Sequence, residues 1–219
     1  METFLRIFTL GLPIVLAITL HEAAHGYVAL RYGDDTAKRA GRISLNPLRH
    51  VDLIGTILLP GLLLAFNAPV LFGYAKPVPV NFSRLNNPRK DSIFVAGAGP
   101  AMNILLAFIS ALLLHFLIVL PPELAPVVQQ MLSLSVLINV TLAVFNMLPL
   151  PPLDGGRVAV GLLPNFLAYP LAALEPYGMM IIFGLLLIPS FFGINLLGAL
   201  ILEPVKGIID LISLLAGVS

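Results

Sequence analysis

Long apolar stretches dominate this sequence, and they constrain its fold more than any other feature. A helix of about 20 apolar residues crosses the hydrocarbon core of a bilayer. Hydrophobic residues make up 58% of the 219-residue chain and charged residues 11%, whereas soluble domains carry about 25% charged residues. The sequence therefore predicts an all-α polytopic membrane protein with about four to six transmembrane segments. The apolar stretches cover 5–30, 53–72, 93–120, 131–150 and 179–200, and an amphiphilic piece follows at 205–215.

Charge and cysteine content exclude several functional classes. The 12 Lys and Arg residues against 11 Asp and Glu residues leave a net charge of +1, so no nucleic-acid partner is expected. The lack of cysteine excludes disulfides, thiolate catalysis and cysteine-ligated metal sites. The sequence shows no repeat and no Gly/Ser linker, which predicts one membrane-embedded domain over 1–219 with the lipid bilayer around it. Nothing in the sequence sets the oligomeric state.

The first apolar stretch has two interpretations. A short apolar region near the N-terminus is typical of a cleaved signal peptide. However, Glu2 accompanies Arg6 in the region that would have to be basic, and the apolar pattern resumes at 27–30 after the polar residues of 21–25. The stretch is long enough to span the bilayer, and we predict that it stays in the mature protein as a transmembrane helix.

Two polar blocks, 31–52 and 76–91, contain nine of the 12 basic residues. By the positive-inside rule both blocks are predicted to be cytoplasmic. The stretch 53–72 then has to leave and return on one side of the membrane, which predicts a re-entrant hairpin that turns near Pro60, Gly61 or Asn67. Irregular backbone at membrane depth is tolerated only where protein or water satisfies it, so such a hairpin lines a cavity. The alternative is a plain transmembrane helix with one basic flank on the outer side.

The sequence His-Glu-Ala-Ala-His at 21–25 concentrates ionisable residues inside the first apolar stretch. Residues four apart lie on one face of a helix, so His21 and His25 can bind one metal ion and Glu22 can reach a water on that ion. Ionisable groups at membrane depth are costly and usually functional. The structural alternative is that the three side chains only bond to neighbouring helices. His21 lies about 15 Å of helix before Arg31, which predicts a site inside the bilayer and nearer the cytoplasm.

A catalytic zinc site needs a third protein ligand and one open position. His50 lies in a basic block and His115 near the end of an apolar stretch, so both are predicted to be structural or interfacial. Asp154 differs from the other acids because prolines precede it and Gly155 and Gly156 follow it. Prolines end a regular helix and glycines permit close backbone approach, so Asp154 is the favoured candidate, on an unwound segment at a helix end. The alternative is a turn-forming Asp-Gly pair.

Two motifs together resemble the site-2 protease family of intramembrane zinc metalloproteases. One is His-Glu-Ala-Ala-His at 21–25, and the other is Asn-Met-Leu-Pro-Leu-Pro-Pro-Leu-Asp-Gly-Gly at 146–156. The run Gly-Ala-Gly-Pro-Ala-Met-Asn at 97–103 resembles the small-residue motif of the helix between them. The resemblance extends over about 5–157, and additional membrane helices at about 175–216 are compatible with it.

This resemblance implies a three-helix catalytic core with one Zn²⁺ per chain on His21, His25 and Asp154. It implies that Glu22 is the general base and that Asn146 binds the substrate backbone or the developing oxyanion. The expected substrate is a single-pass membrane protein, such as an anti-sigma factor or a transcription-factor precursor, cut within or near its transmembrane segment. The expected location is the cell (inner) membrane. The polar blocks have no room for the PDZ domain of many family members, so the chain resembles the small PDZ-free branch.

Alternatives remain for one segment and for the function. The segment 73–81 contains Pro77 and Pro79 and cannot be a central strand; it is either an exposed edge that receives an unwound substrate by strand addition or a simple loop. The alternative function is a transporter or channel in which His, Glu and Asp handle protons or metal ions. The sequence lacks the paired halves that transporters usually carry, and transport does not require a base between two ligands. A catalytically inactive scaffold is disfavoured because all four proposed site residues are present.

Overall fold

The fold is helical throughout the part of the chain that the structure describes. The structure is a computed structural model that describes residues 2–58, 62, 76–191 and 198–218. No strand occurs among these residues, which confirms the predicted all-α class. The α-helices are α1 (Glu2–Arg31), α2 (Thr36–Arg39), α3 (Pro88–Leu113), α4 (Ala125–Asn146), α5 (Asp154–Leu162), α6 (Asn165–Ala172), α7 (Gly178–Phe191) and α8 (Glu203–Ala216). Short 3₁₀ helices cover Pro47–Arg49, Phe82–Arg84, Leu114–Val119 and Glu175–Tyr177, and π-helical turns cover Leu53–Leu58 and Gly198–Leu202.

Four helical segments of the described residues are long and apolar enough to cross a membrane. They are Phe8–Arg31, Pro88–Val119, Ala125–Asn146 and Asn165–Leu185, with 24, 32, 22 and 21 residues. At about 1.5 Å per residue, even the shortest reaches about 30 Å, the thickness of the hydrocarbon core. The fourth span begins before the predicted stretch 179–200 because α6 and the 3₁₀ turn that follows it extend the helical path backwards from α7. Residues 192–197 of that stretch lie outside the described residues.

Three long helices, α1, α3 and α4, pack against one another in pairs. Small side chains let their backbones approach: Ala107 and Ala111 of α3 and Val136 and Val140 of α4 are buried together with residues of α8. Small-residue interfaces are typical of membrane helices, because lipid gives apolar helices no hydrophobic drive to associate. α5 packs against α3, which brings the start of α5 towards α1. This is the three-helix arrangement implied by the resemblance, and the single-domain assignment over 1–219 stays a prediction.

The outer surface of the bundle is apolar, and its interior holds polar side chains. Ile118 is 90% exposed and Met180 is 68% exposed, whereas Asn103 of α3 is fully buried and Asn139 of α4 is 1% exposed. Soluble proteins show the opposite preference. Exposed apolar and buried polar side chains fit a helix bundle surrounded by lipid, and with the four apolar spans they make this chain an integral membrane protein.

The start of α3 is fixed by a side-chain cap. The side chain of Asn87 accepts a hydrogen bond from the N–H of Lys90 at 3.4 Å, and the carboxylate of Asp91 accepts one from the N–H of Asn87 at 2.6 Å. Pro88 occupies the first helical position, where its missing N–H costs nothing. These contacts end the second polar block and set the point at which the long helix begins.

The two polar blocks lie against each other at one end of the bundle. The N–H of Lys76 donates to the carbonyl oxygen of His50 at 2.9 Å, and the guanidinium of Arg42 donates to the carbonyl oxygen of Lys76 at 2.7 Å. The chain between the blocks therefore leaves and returns at the same place, which the re-entrant prediction requires. The predicted hairpin at 53–72 lies for the most part outside the described residues.

A buried carboxylate fastens the loop segment 76–81 beside α1. Asp34 is fully buried and accepts hydrogen bonds from the N–H of Thr36 at 3.0 Å, from the Thr36 hydroxyl, and from the N–H of Asn81 at 2.7 Å. Burial alone would raise the pKa of Asp34, but these hydrogen bonds and the nearby Arg84 outweigh it, so the pKa of the carboxyl lies below its ordinary value. Within 76–81 the chain has no regular secondary structure, so this part of the segment 73–81 is a loop and not a strand.

Candidate metal centre

Three of the predicted site residues come from one stretch of α1. His21 and His25 lie one turn apart, so their imidazoles leave the same face of the helix. Both histidines are buried, at 7% and 9% exposure, and their Nε2 atoms lie 3.0 Å apart. Glu22 is half-buried beside them. The helix thus places the two imidazoles as the sequence spacing predicts.

The fourth site residue comes from the break between α4 and α5. α4 ends at Asn146, residues 147–153 form turns, and Asp154 is the first residue of α5. The backbone packs tightly here, because a Cβ on Gly155 would lie 2.2 Å from the carbonyl oxygen of Met147. Only glycine permits that approach. The predicted unwound segment at a helix end is therefore present, and it directs the carboxylate towards α1.

His21, His25 and Asp154 converge on one point. The Oδ2 atom of Asp154 lies 3.3 Å from Nε2 of His21 and 3.4 Å from Nε2 of His25. Together with the 3.0 Å between the two Nε2 atoms, these distances form a nearly equilateral triangle. Ligand atoms at about 2.0–2.1 Å from a tetrahedral zinc ion lie about 3.3 Å from one another. Among the described residues, this is the one group of three or more His, Cys, Asp or Glu side chains arranged to hold a metal ion.

The hydrogen bonds of the two imidazoles leave three acceptors facing one another. Nδ1 of His25 donates to the carbonyl oxygen of Val95 at 2.7 Å, and Nδ1 of His21 donates to Oδ1 of Asn103 at 2.6 Å. The other nitrogen of each neutral ring then carries a lone pair and no proton. Oδ2 of Asp154 is buried and has no hydrogen-bond partner among the described residues. Three acceptors in contact without a donor fit a bound cation, and two imidazoles with one carboxylate are a suitable donor set for Zn²⁺.

Helix α3 leaves room for that cation because it presents a glycine to the histidines. A Cβ on Gly99 would lie 2.4 Å from Nε2 of His25 and 2.5 Å from both Nε2 and Cε1 of His21. A side chain at this position would fill the space in front of the two nitrogens. The small-residue run 97–103 therefore includes a residue whose lack of a side chain keeps the metal-binding pair accessible.

Glu22 is held from another direction by the loop segment 76–81. The N–H of Val78 donates to Oε2 of Glu22 at 2.7 Å. Pro77 and Pro79 have no N–H, so Val78 supplies the main-chain donor among these three residues. Val78 also packs closely on α1, because a Cβ on Gly26 would lie 3.0 Å from Cγ1 of Val78. The contact fixes one carboxylate oxygen of Glu22 in place.

The four site residues line a single cavity of about 750 Å³. Much of the remaining lining is apolar, including Ile18 of α1, Phe145 of α4 and Ile182 of α7. Ligand pockets typically have volumes of about 300–1,000 Å³. Asn146 also lines the cavity, and its amide donates to the carbonyl oxygen of Leu142 at 3.0 Å. Its role in substrate binding stays a prediction.

The histidines that were predicted to be structural lie elsewhere. Nε2 of His50 donates to the carbonyl oxygen of Ser44 at 2.9 Å, and Nε2 of His115 donates to the carbonyl oxygen of Ala216 at 2.7 Å. Neither histidine belongs to the metal-binding group. Asn103 was not predicted as a site residue, although an amide inside an apolar helix is a recognisable signal for a contact between helices.

Comparison with known proteins agrees with the chemistry of this site. Residues 122–189, which include Asp154, match the family model of peptidase family M50. The chain is 39% identical over 184 residues to "Putative zinc metalloprotease YwhC" of Bacillus subtilis, and the match covers 82% of this chain and 80% of that protein. It is 30% identical over 177 residues to "Putative zinc metalloprotease Rip2" of Mycolicibacterium smegmatis, covering 80% of this chain and 65% of that protein. No solved structure matches the chain.

Proposed function

Because this chain belongs to peptidase family M50, the site-2 protease family, we propose that it is a zinc metalloprotease that hydrolyses a peptide bond within or near the transmembrane segment of a membrane protein. The observation that carries the proposal is the convergence of His21, His25 and Asp154 beside Glu22. Three acceptors without a proton between them fit a metal ion, and a carboxylate beside that ion fits a general base.

The role proposed for each site residue follows from the atoms that it presents to the cavity. His21, His25 and Asp154 would hold one Zn²⁺ per chain through Nε2, Nε2 and Oδ2. Bound there, zinc supplies Lewis-acid polarisation of the scissile carbonyl and lowers the pKa of a water towards about 7. Glu22 accepts a proton from the attacking water and later delivers it to the leaving amine. The N–H of Val78 holds one Glu22 oxygen at 2.7 Å, so the proton is carried on the other.

Asn146 is proposed to contact the substrate. Its amide group lines the same cavity as the metal-binding residues, and an amide nitrogen has two donors. One of them is used by the carbonyl oxygen of Leu142. The second donor can bind a substrate carbonyl or the negative charge that develops on it, which is the kind of contact that stabilises the transition state of acyl transfer.

The position of the site in the span supports cleavage inside the membrane. His21 lies within the span Phe8–Arg31, about 15 Å of helix from Arg31. The two basic blocks meet at that end of the bundle, and the positive-inside rule assigns basic segments to the cytoplasm. We therefore infer a site nearer the cytoplasmic face of the cell (inner) membrane.

A single-pass transmembrane protein is the proposed substrate. The cavity lining is largely apolar, which suits the side chains of a transmembrane segment. The peptide bonds of such a segment are occupied by their own helical hydrogen bonds, so the segment has to unwind locally before Glu22 and the metal can act on it. Transport of metal ions or protons, the alternative function, does not need a carboxylate held between two metal-binding histidines, and membership of a peptidase family favours hydrolysis.

The proposal is tested with purified protein in proteoliposomes and a reporter that has one transmembrane segment. Product ends located by mass spectrometry should fall within the apolar segment. An interior proline costs a helix about 3 kcal/mol, so Gly or Pro placed near the cut should speed cleavage, and Leu at the same positions should slow it. Glu22→Gln serves as the inactive control.

A matched set of reporters carries the same Gly, Pro and Leu changes in an extramembrane loop, where they should leave the rate unchanged. Cuts confined to soluble loops, with no response to the strength of the transmembrane helix, would show an ordinary membrane-anchored metalloprotease and contradict cleavage within the membrane.

A further inference from the structure

A hydrogen-bond network of buried amide side chains extends from the metal centre into the core of the bundle. Nδ1 of His21 lies 2.6 Å from Oδ1 of Asn103. Nδ2 of Asn103 donates to the carbonyl oxygen of Ala17 at 3.2 Å and to Oδ1 of Asn139 at 2.8 Å. Nδ2 of Asn139 donates in turn to the carbonyl oxygen of Ser135 at 2.9 Å. These hydrogen bonds connect α1, α3 and α4 at the level of the site.

Two main-chain carbonyls determine the direction of every hydrogen bond in this network. A carbonyl oxygen can only accept, so the carbonyl of Ser135 requires the NH₂ group of Asn139, and that of Ala17 requires the NH₂ group of Asn103. Oδ1 of Asn103 is therefore the atom that faces His21, and it can only accept. His21 must carry its proton on Nδ1, which leaves the lone pair of Nε2 for a metal ion.

We propose that Asn103 is a positioning residue of the metal centre, which selects the tautomer and the ring orientation in which Nε2 of His21 binds the metal. The inference rests on the proposed zinc site and assigns a role to a side chain that does not touch the ion. Asn103 is fully buried, so no water replaces its oxygen as the acceptor. His25 is oriented by the main-chain carbonyl of Val95, which exists whatever residue stands there, so the orientation of His21 is the one that depends on a particular side chain.

A role in holding helices together makes a different prediction. Asn139 belongs to the same hydrogen-bond network and is equally buried, but its hydrogen bonds go to Asn103 and to Ser135, not to a metal-binding residue. If these hydrogen-bonded amides only join helices, removal of either amide should affect the metal centre to the same extent. If Asn103 orients His21, only removal of Asn103 should weaken the metal.

The test is zinc affinity, measured by competition with a chelator on the purified full chain. Removal of an outer hydrogen-bond partner of a metal-binding histidine typically costs 10–100-fold in metal affinity. Asn103→Leu, which keeps the branched shape of the side chain and removes the acceptor, should lose about 10–100-fold. Asn103→Asp keeps an acceptor for His21 but removes the NH₂ donor to Ala17 and Asn139, so it should unfold at a lower temperature while its zinc affinity stays within about threefold of wild type. The matched control Asn139→Leu should also stay within about threefold. With Co²⁺ in place of zinc, the visible absorption spectrum should change in Asn103→Leu and not in Asn139→Leu.

The possible outcomes separate this inference from the proposed function. Wild-type affinity in a folded Asn103→Leu variant, or an equal loss in Asn139→Leu, would show that Asn103 only joins helices. If Asn103→Leu does not fold, Asn103→Asp decides the matter, and a loss of about tenfold or more in that folded variant overturns the inference. A wild-type chain that binds no zinc would overturn the proposed function itself.

Discussion

Gly99 of α3 faces the two histidines of the metal centre, and Gly99→Ala tests how closely α3 packs against them. The added methyl carbon would lie 2.4 Å from Nε2 of His25 and 2.5 Å from Nε2 of His21. Non-bonded carbon contacts are comfortable at about 3.5–4.0 Å, so either the rings or α3 must move by about 1 Å. The side chain of alanine also fills part of the space in front of the two nitrogens.

The magnitude follows from this displacement. A misplacement of about 1 Å at reacting groups costs about 100-fold in rate, which corresponds to about 2.7 kcal/mol. We expect zinc affinity and reporter hydrolysis both to fall by about 100-fold or more in Gly99→Ala. Overpacking of a tight interior typically destabilises by about 1–3 kcal/mol, so the variant should still fold but unfold at a lower temperature.

Gly97→Ala is the matched control, because it makes the same change two residues earlier in α3. A Cβ on Gly97 would have no atom of the described residues within 4 Å, so zinc affinity, hydrolysis and unfolding temperature should stay close to those of the wild type. Chelator competition, cleavage of the reporter and thermal unfolding in detergent measure the three quantities. Equal zinc affinity and equal cleavage in Gly99→Ala and Gly97→Ala would refute the placement of α3 against the histidines.

Further predictions concern chemistry, ligation, topology and pH. Glu22→Gln should keep its zinc and lose about 100-fold or more of its hydrolysis rate, because an amide cannot accept the proton; near-normal turnover would exclude the base role. Asp154→Ala should lose most of its zinc by metal analysis, and full occupancy would remove Asp154 from the ligand set. Cysteines at Lys38 and Lys90, in a chain that has none, should label from the same side of sealed vesicles; labelling from opposite sides would replace the hairpin by a full span. Asp34→Asn should lower the unfolding temperature at pH 7 by disturbing a buried hydrogen-bonded carboxylate. The folded pKa of Asp34 lies below the unfolded value of about 3.9, so the stability that its carboxylate contributes is complete above that pH and is lost as the pH falls through the folded pKa. The unfolding temperatures of the variant and the wild type should therefore converge in acid. A constant difference between them at all pH values would contradict this.

The residues of the site were predictable where a local pattern carries the information. His21 and His25 lie one helical turn apart, and a spacing of four within a helix is visible in the sequence. Asp154 follows prolines and precedes glycines, and these mark a helix break wherever the segment lies in the fold. Glu22 followed from its place between the two histidines. The sequence predicted about four to six spans for the same reason, because the length of an apolar stretch is a local property, and four spans lie among the described residues.

Other contacts could not be predicted because they depend on how distant segments meet. Asn103 contacts His21 only because α3 packs on α1, and its role cannot be read from an isolated helix. The donor to Glu22 is a main-chain N–H, at Val78, and main-chain donors have no signature in the sequence. The fourth span starts earlier than the predicted stretch 179–200, and this too depends on a contact between distant residues. Glu175 lies inside that span and forms an ion pair with Arg157, which the hydropathy of a single stretch does not show.

The distance in sequence between the ligands has a consequence for biosynthesis. His21 and His25 enter the membrane with the first helix, whereas Asp154 follows about 130 residues later, which at about 5–20 residues per second takes roughly 6–26 seconds. Throughout that interval the nascent chain holds the two imidazoles without the carboxylate that completes the group. Proteolytic competence can therefore arise only after the turn at 147–153 has been synthesised and inserted. Under the proposed function, the nascent chain cannot hydrolyse a peptide bond before Asp154 has been synthesised and α5 has packed against α3.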